Sequence, residues 1–153
     1  MASTAQTAVA RIVTDLQGIT GGSYTYDLSG NDRVIVAAGL PVEGRDLLVV
    51  LTPRAIHTEH GYALGNYIRT MPVSLLARVY ATTDTPQARL YAGLDLVDDI
   101  ATALEADRSL NGNVYDLKVS LETFDGDEYN LPGASLVAGT IEVYWDNPSG
   151  SGI

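Results

Sequence analysis

One stretch constrains this chain more than any other: TPQARLYAGLDLVDDIATALEADRSLNG, residues 85–112. Leu90, Leu94, Val97, Ile100, Ala101 and Leu104 recur at helical spacings, which predicts a shared apolar face. Asp95, Asp98, Asp99 and Glu105 fall mostly on the other face and read as solvated. Thr85 suits the N-cap, where its hydroxyl accepts from a free backbone N–H, and Pro86 suits the first helical position, where no N–H is needed. Asn111 and Gly112 tolerate a left-handed backbone and predict the stop. A helix with a single apolar stripe must bury it, and strand-like segments flank this one on both sides.

Before it, Ser3 or Thr4 caps a first helix running to about Gln17, with Ala5, Ala8, Val9, Ile12, Val13 and Leu16 on its apolar face and Gly18 at its end. Residues 18–32, rich in Gly, Ser, Thr and Asn, predict a loop with a short strand at Tyr24–Tyr26. Val34–Ala38 and Leu47–Thr52 read as strands, and the turn-like GLPVEGRD between them predicts a hairpin. Residues 53–66, PRAIHTEHGYALGN, read as a long polar connection. Tyr67 to Thr82 is the longest strand candidate, and Pro72, lacking a backbone donor, predicts a bulge or an edge.

After the helix, Val114–Phe124 alternates, with Leu117, Val119 and Leu121 on the core side. Asp125-Gly126-Asp127-Glu128 predicts an acidic turn, Leu136–Trp145 a last strand, and 146–153 a flexible tail. The expected fold is one α+β domain over residues 1–145: an antiparallel β-sheet with two helices packed on one face. At 153 residues and 46% hydrophobic, the chain is large enough for one core.

The sequence carries few signatures of chemistry. There is no cysteine, so disulfides, thiolate zinc sites and cysteine nucleophiles are excluded together. No Gly-rich phosphate loop, dinucleotide fingerprint or Gly-x-Ser-x-Gly elbow is present, and Ser135 lacks a nucleophile's strand-turn-helix setting. His57, Glu59 and His60 are the residue types that hold zinc or iron, but a polar loop offers no face on which they converge. Asp125, Asp127 and Glu128 lack the alternating ligands and closing glutamate of a calcium loop. No catalytic residue, metal or cofactor is expected. A net charge of −10 lacks the basic footprint that grips nucleic acid. No apolar run approaches the ~20 residues of a membrane span, and MASTAQTAVAR lacks the basic and apolar regions of a signal peptide. Nine tyrosines against one phenylalanine suit either partly wet interfaces or an ordinary sheet surface.

Size and element order resemble phage tail terminator proteins, the small neck proteins of long-tailed phages. The resemblance lies in the N-terminal helix with a hairpin after it, in PRAIHTEHGYALGNYIRTMPVSLLARVYAT at 53–82, and in ALEADRSLNGNVYDLKVSLETF at 103–124 with AGTIEVYW at 138–145. It covers most of the chain as a layout, without a catalytic-type signature. It implies a structural virion protein that caps the tail tube as a hexameric ring, joins it to the head-side connector and lets DNA pass. The implied partners are further copies of itself, the tail tube protein and the connector, with no specific DNA binding and no membrane. The resemblance also implies a place in the tail-neck region of the virion, and in the host cytoplasm during assembly. On this footing the 53–66 loop, through Arg54, His57, Glu59, His60 and Tyr62, is the expected subunit or partner contact. Asp125, Asp127 and Glu128 are the expected acidic lumen or rim, since a negative wall weakens adhesion to phosphates. The alternatives are a head-completion or stopper protein, a tail tube subunit, a small cellular ligand- or protein-binding domain, and a metal-assisted hydrolase using His57, Glu59 and His60.

Overall fold

A computed structural model describes residues 2–29, 32–39, 47–60, 66–129 and 131–148. Helix α1 (Thr4–Gln17) is followed by β1 (Val34–Val36), β2 (Leu48–Pro53), β3 (His57–His60), β4 (Asn66–Tyr80), helix α2 (Pro86–Glu105), β5 (Asp116–Asp125), a 3-10 turn (Gly126–Tyr129) and β6 (Ala134–Pro148). The strands form one sheet in the order β1-β2-β4-β6-β5, with β3 beside the outer part of β4. Both helices lie on the same face. Ile12 and Leu16 of α1 and Leu96, Ile100 and Leu104 of α2 share a core with Val49, Leu75, Ile141 and Val143 of the sheet. The fold is α+β, as expected.

The capping chemistry works as read. Ser3 Oγ accepts from Gln6 N at 3.1 Å, and Thr85 Oγ1 accepts from Ala88 N at 3.1 Å. Each bond satisfies a donor that the first helical turn leaves free.

Four expectations about which residues form strands, and in which direction, are corrected. First, β1 and β2 pair in parallel (Val34↔Val49, Ile35↔Val50, Val36↔Leu51), so they form no hairpin and the sheet is mixed. Apolar runs record burial but not strand direction, so the pattern reads the same for a parallel or an antiparallel pair. Second, β3 lies where a loop was expected, pairing His57↔Thr70 to His60↔Tyr67. Third, Tyr24–Tyr26 makes no strand, and only a single bridge, Thr20↔Asp27, forms nearby. Fourth, Asp146–Pro148, expected in the tail, belong to β6 opposite Asn66–Ile68, while residues 149–153 lie outside those described.

Pro72 needs no bulge. Its carbonyl accepts from Arg54 N at 2.9 Å, on the side of β4 where β2 ends at Val73 and β3 begins at Thr70. A residue's N–H and C=O point the same way along a strand, so the missing donor falls in the gap between two neighbours.

Helix α2 is rolled about its axis relative to the expected stripe. Ala92, Leu96, Ile100, Ala103 and Leu104 are buried together with Arg89, Gly93 and Asp99, whereas Leu90 and Leu94 are 38% and 50% exposed. The helix also stops at Glu105. Leu110, Asn111 and Gly112 are left-handed (φ 48°, 60° and 81°), but they shape a following turn that buries Leu110.

That turn meets α1 through three charges. Arg11 Nε donates to Asp107 Oδ2 at 2.8 Å and lies 3.3 Å from Asp15 Oδ1. Burial, then the hydrogen bond and repulsion from Asp107, push the Asp15 carboxyl up to about 7, against the smaller opposing pull of Arg11. The folded state therefore holds a proton that the unfolded chain releases near 3.8. This contribution to stability is complete below pH 3.8 and is lost as pH rises through about 7. Asp15→Asn should remove the dependence and stabilise the protein at pH 8 by about 1 kcal/mol, allowing for solvent screening. Urea midpoints at pH 5.5 and pH 8 check this: unchanged pH dependence in the variant counts against the pair.

Candidate interaction surfaces

Strands β4 and β6 pair along their whole length, from Asn66↔Pro148 to Tyr80↔Ala134, a ribbon of about 50 Å. From Met71 to Ala77 every second residue is buried in the core. From Tyr67 to Thr70 that alternation ends, and side chains are half-buried. β3 widens this end of the ribbon, and His57, Thr58 and Glu59 on it are exposed. Arg54 is exposed as well, with its Nε donating to Ser74 Oγ at 2.9 Å. The expected contact residues Arg54, His57, Glu59 and His60 thus lie along one edge of the ribbon end, and Tyr62 lies outside the described residues. Pairing with β4 gives this segment the fixed frame that a polar loop would lack. Among the described residues, no three His, Asp or Glu side chains converge to hold a metal ion.

The acidic turn has a different inner structure from the one its sequence suggests. Asp125 Oδ1 and Oδ2 accept from Arg89 Nε and Nη2 at 2.9 and 3.1 Å. Asp127 Oδ2 lies 2.9 Å from the same Nη2, and Asp84 Oδ1 accepts from Nη1 at 2.5 Å. The Arg89 side chain is only 7% exposed. One guanidinium on α2 thus ties together the helix entrance, the end of β5 and the 3-10 turn. Asp125 is held below its ordinary carboxylate range, chiefly by its hydrogen bonds with Arg89. Of the residues expected to form an acidic rim, Glu128 is exposed, Asp127 is half-exposed beside Arg89, and Asp125 is an internal tie. Sequence reasoning passed over Arg89 because a cation on an amphipathic helix ordinarily faces water.

Asp99 is a second correction of the same kind. It is buried, and its carboxylate accepts from the backbone N–H groups of Thr25 and Tyr26 at 3.1 and 2.9 Å. The helix therefore anchors the glycine-rich segment that follows α1. Asp99→Ala should cost about 2 kcal/mol, because it leaves two donors without a charged acceptor. Chemical denaturation measures this, and a loss near zero would mean that the segment finds other partners.

That anchored segment closes one side of a groove of about 450 Å³. Thr25, Tyr26, Tyr80, Ala88, Tyr91 and Asp95 line it. Tyr26 Oη donates to Ala92 O at 2.9 Å, so its ring is fixed and its hydroxyl is occupied. Burial, then the charges of Asp95 and Asp99, push the Tyr26 phenol up to about 12, which keeps it neutral. The rings of Tyr80 and Tyr91 are 41% and 57% exposed at the rim. A second groove of about 410 Å³ is apolar and lies between α1 and the β1 edge, among Ala5, Val9, Val36, Pro53 and Met71.

No protein-family model matches this chain, and no curated protein is significantly similar to it. No helix among the described residues is long and apolar enough to cross a membrane.

Proposed function

We propose that this chain is a phage tail terminator, a structural virion protein that closes the tail tube as a ring and joins it to the head-side connector. The observation that carries the reading is the layout of 53–82, 103–124 and 138–145 behind an N-terminal helix. Two physical features support it. The β3-widened ribbon end offers an extended, partly polar edge on which a neighbouring subunit or the tail tube can dock, through Arg54, His57 and Glu59. The net charge of −10 repels phosphates, as suits a ring that passes DNA without holding it. In this reading Glu128 and the outer part of Asp127 contribute to a negative rim, and Asp125 secures the turn that presents them. The ring is a closed homo-oligomer, for which a hexamer is proposed, and its neighbouring contacts are head-to-tail.

Electron microscopy of a lysate with this gene silenced tests the proposal. Filled heads beside separate tails of excessive length are expected. Tails of normal length beside heads that lose their DNA would move the protein to the head side of the neck. Normal virions would overturn the proposal and favour a binding module outside the virion.

A further inference from the structure

We propose that the groove between α2 and the end of β4 is a receptor for an arginine side chain presented by a partner protein. The groove joins the two features that recognise a guanidinium: aromatic faces and one carboxylate. Ala88, Tyr91, Ala92 and Asp95 follow one another at helical spacing along a single stripe of α2. Tyr80 at the end of β4 faces that stripe across the groove, and Tyr26 supplies a third ring from the segment held by Asp99.

Two of the three rings are already hydrogen-bonded without a ligand. Tyr26 is held through Ala92 O, and Tyr91 Oη accepts from Gln87 Nε2 at 3.0 Å. A fixed aromatic surface binds at low entropic cost. Among the described residues, no cationic side chain lines the groove. The nearby cation of the same helix, Arg89, is occupied by Asp84, Asp125 and Asp127. Asp95 is exposed and is not among the carboxylates held by arginines. Its negative charge is therefore available to an incoming cation.

Arginine fits better than lysine. Its planar guanidinium stacks on a tyrosine face while its N–H fork meets a carboxylate, whereas an ammonium is a more strongly hydrated point charge. The rim selects for a protein rather than a free amino acid. Leu94, three residues on from Tyr91 on the same side of α2 and exposed, offers apolar cover to the residue next to the arginine. This inference does not depend on the virion role: any partner with an exposed Arg-apolar pair satisfies it.

The test is an NMR titration of the full chain with the blocked peptide acetyl-Gly-Arg-Leu-amide, alongside its lysine version and its citrulline version. Citrulline keeps the shape of arginine and removes the charge. Saturable binding of the arginine peptide at millimolar concentration is expected, on the order of 1 mM for so small a ligand. Shifts should be confined to the amides around Tyr26, Tyr80, Tyr91 and Asp95. Asp95→Asn should weaken binding at least about tenfold, and Tyr91→Ala about fivefold. Both positions are exposed, so an unchanged thermal midpoint confirms that the variants fold. Asp98→Asn, outside the groove on the same helix, should change nothing. Equal binding of citrulline would overturn the proposal in favour of a merely apolar groove. Shifts spread over the acidic surface, or equal loss with Asp98→Asn, would reduce it to non-specific charge attraction. The absence of saturable shifts would end it.

Discussion

Gly93→Val should unfold the protein or leave it with a severely lowered melting temperature. Gly93 is where α2 rests on the sheet. A Cβ there would collide with Thr123 Oγ1 on β5 and stand 2.5 Å from Ser135 Oγ on β6. Those two hydroxyls are themselves hydrogen-bonded at 3.2 Å, so neither turns away freely. Two effects oppose each other. Replacing a mid-helix glycine by alanine gains about 1 kcal/mol of helix propensity. Forcing atoms into a packed interface costs about 1–3 kcal/mol, and more for a branched side chain. The clash wins. Gly93→Ala should lose about 2 kcal/mol and Gly93→Val about 4 kcal/mol or more. Thr123→Ala in the Gly93→Ala background should recover part of the loss, because it removes the nearer hydroxyl. A Gly93→Ala protein as stable as the parent would mean that α2 stands farther from Thr123 and Ser135 than these contacts place it.

Arg89→Met should have the second largest effect, a fall in thermal midpoint of about 10 °C at pH 7. Methionine replaces the volume of the arginine stem but leaves Asp84, Asp125 and Asp127 facing one another without their shared cation. The loss should depend on pH in a stated direction. Arg89 holds Asp125 below its unfolded value of 3.8, so the stabilisation it contributes is complete above that value. It disappears as pH falls through the lower folded value. The gap between parent and variant should therefore be widest near neutrality and narrow below about pH 4. A gap of constant size from pH 7 to pH 3 would mean that Arg89 acts by packing alone. Asp84→Ala, which removes the most exposed of the three carboxylates, should change little by comparison.

Both predictions concern residues on α2 whose roles were not visible along the chain. Glycine and arginine count against a buried stripe in any periodicity argument, yet both lie on the buried side of this helix. The same holds for Asp99. Weighting by hydrophobicity selected Leu90 and Leu94, which are 38% and 50% exposed. The true stripe could have been found from one additional signal. Ala92, Leu96, Ile100 and Ala103 keep the same helical spacing as the stripe first read, and Gly93 beside them marks where the helix comes closest to the Thr123 and Ser135 side chains of the sheet.

The candidate contact residues fared differently. The polarity of residues 53–66 and both histidines marked the segment as one that faces water, and His57, Thr58 and Glu59 are exposed. Its short strand was hidden because HTEH has little strand propensity. Pairing to the long β4 supplies the order instead, through backbone bonds that any side chain permits.

Local chemistry alone determined where both helices begin, because a cap depends on a hydroxyl three residues from an N–H. It also determined that β4, β5 and β6 are strands with a core side, since alternation is a property of neighbouring residues. Tertiary structure decided the parallel direction of β1, the roll of α2 on the sheet, and the conversion of Asp99, Arg89 and Asp125 from surface charges into internal ties. The physical reason is common to all three. A strand's direction, a helix's roll and a charge's partner depend on groups far away in the chain, such as Asp99 with Thr25 or Arg89 with Asp125. Those groups become neighbours only when the core has closed.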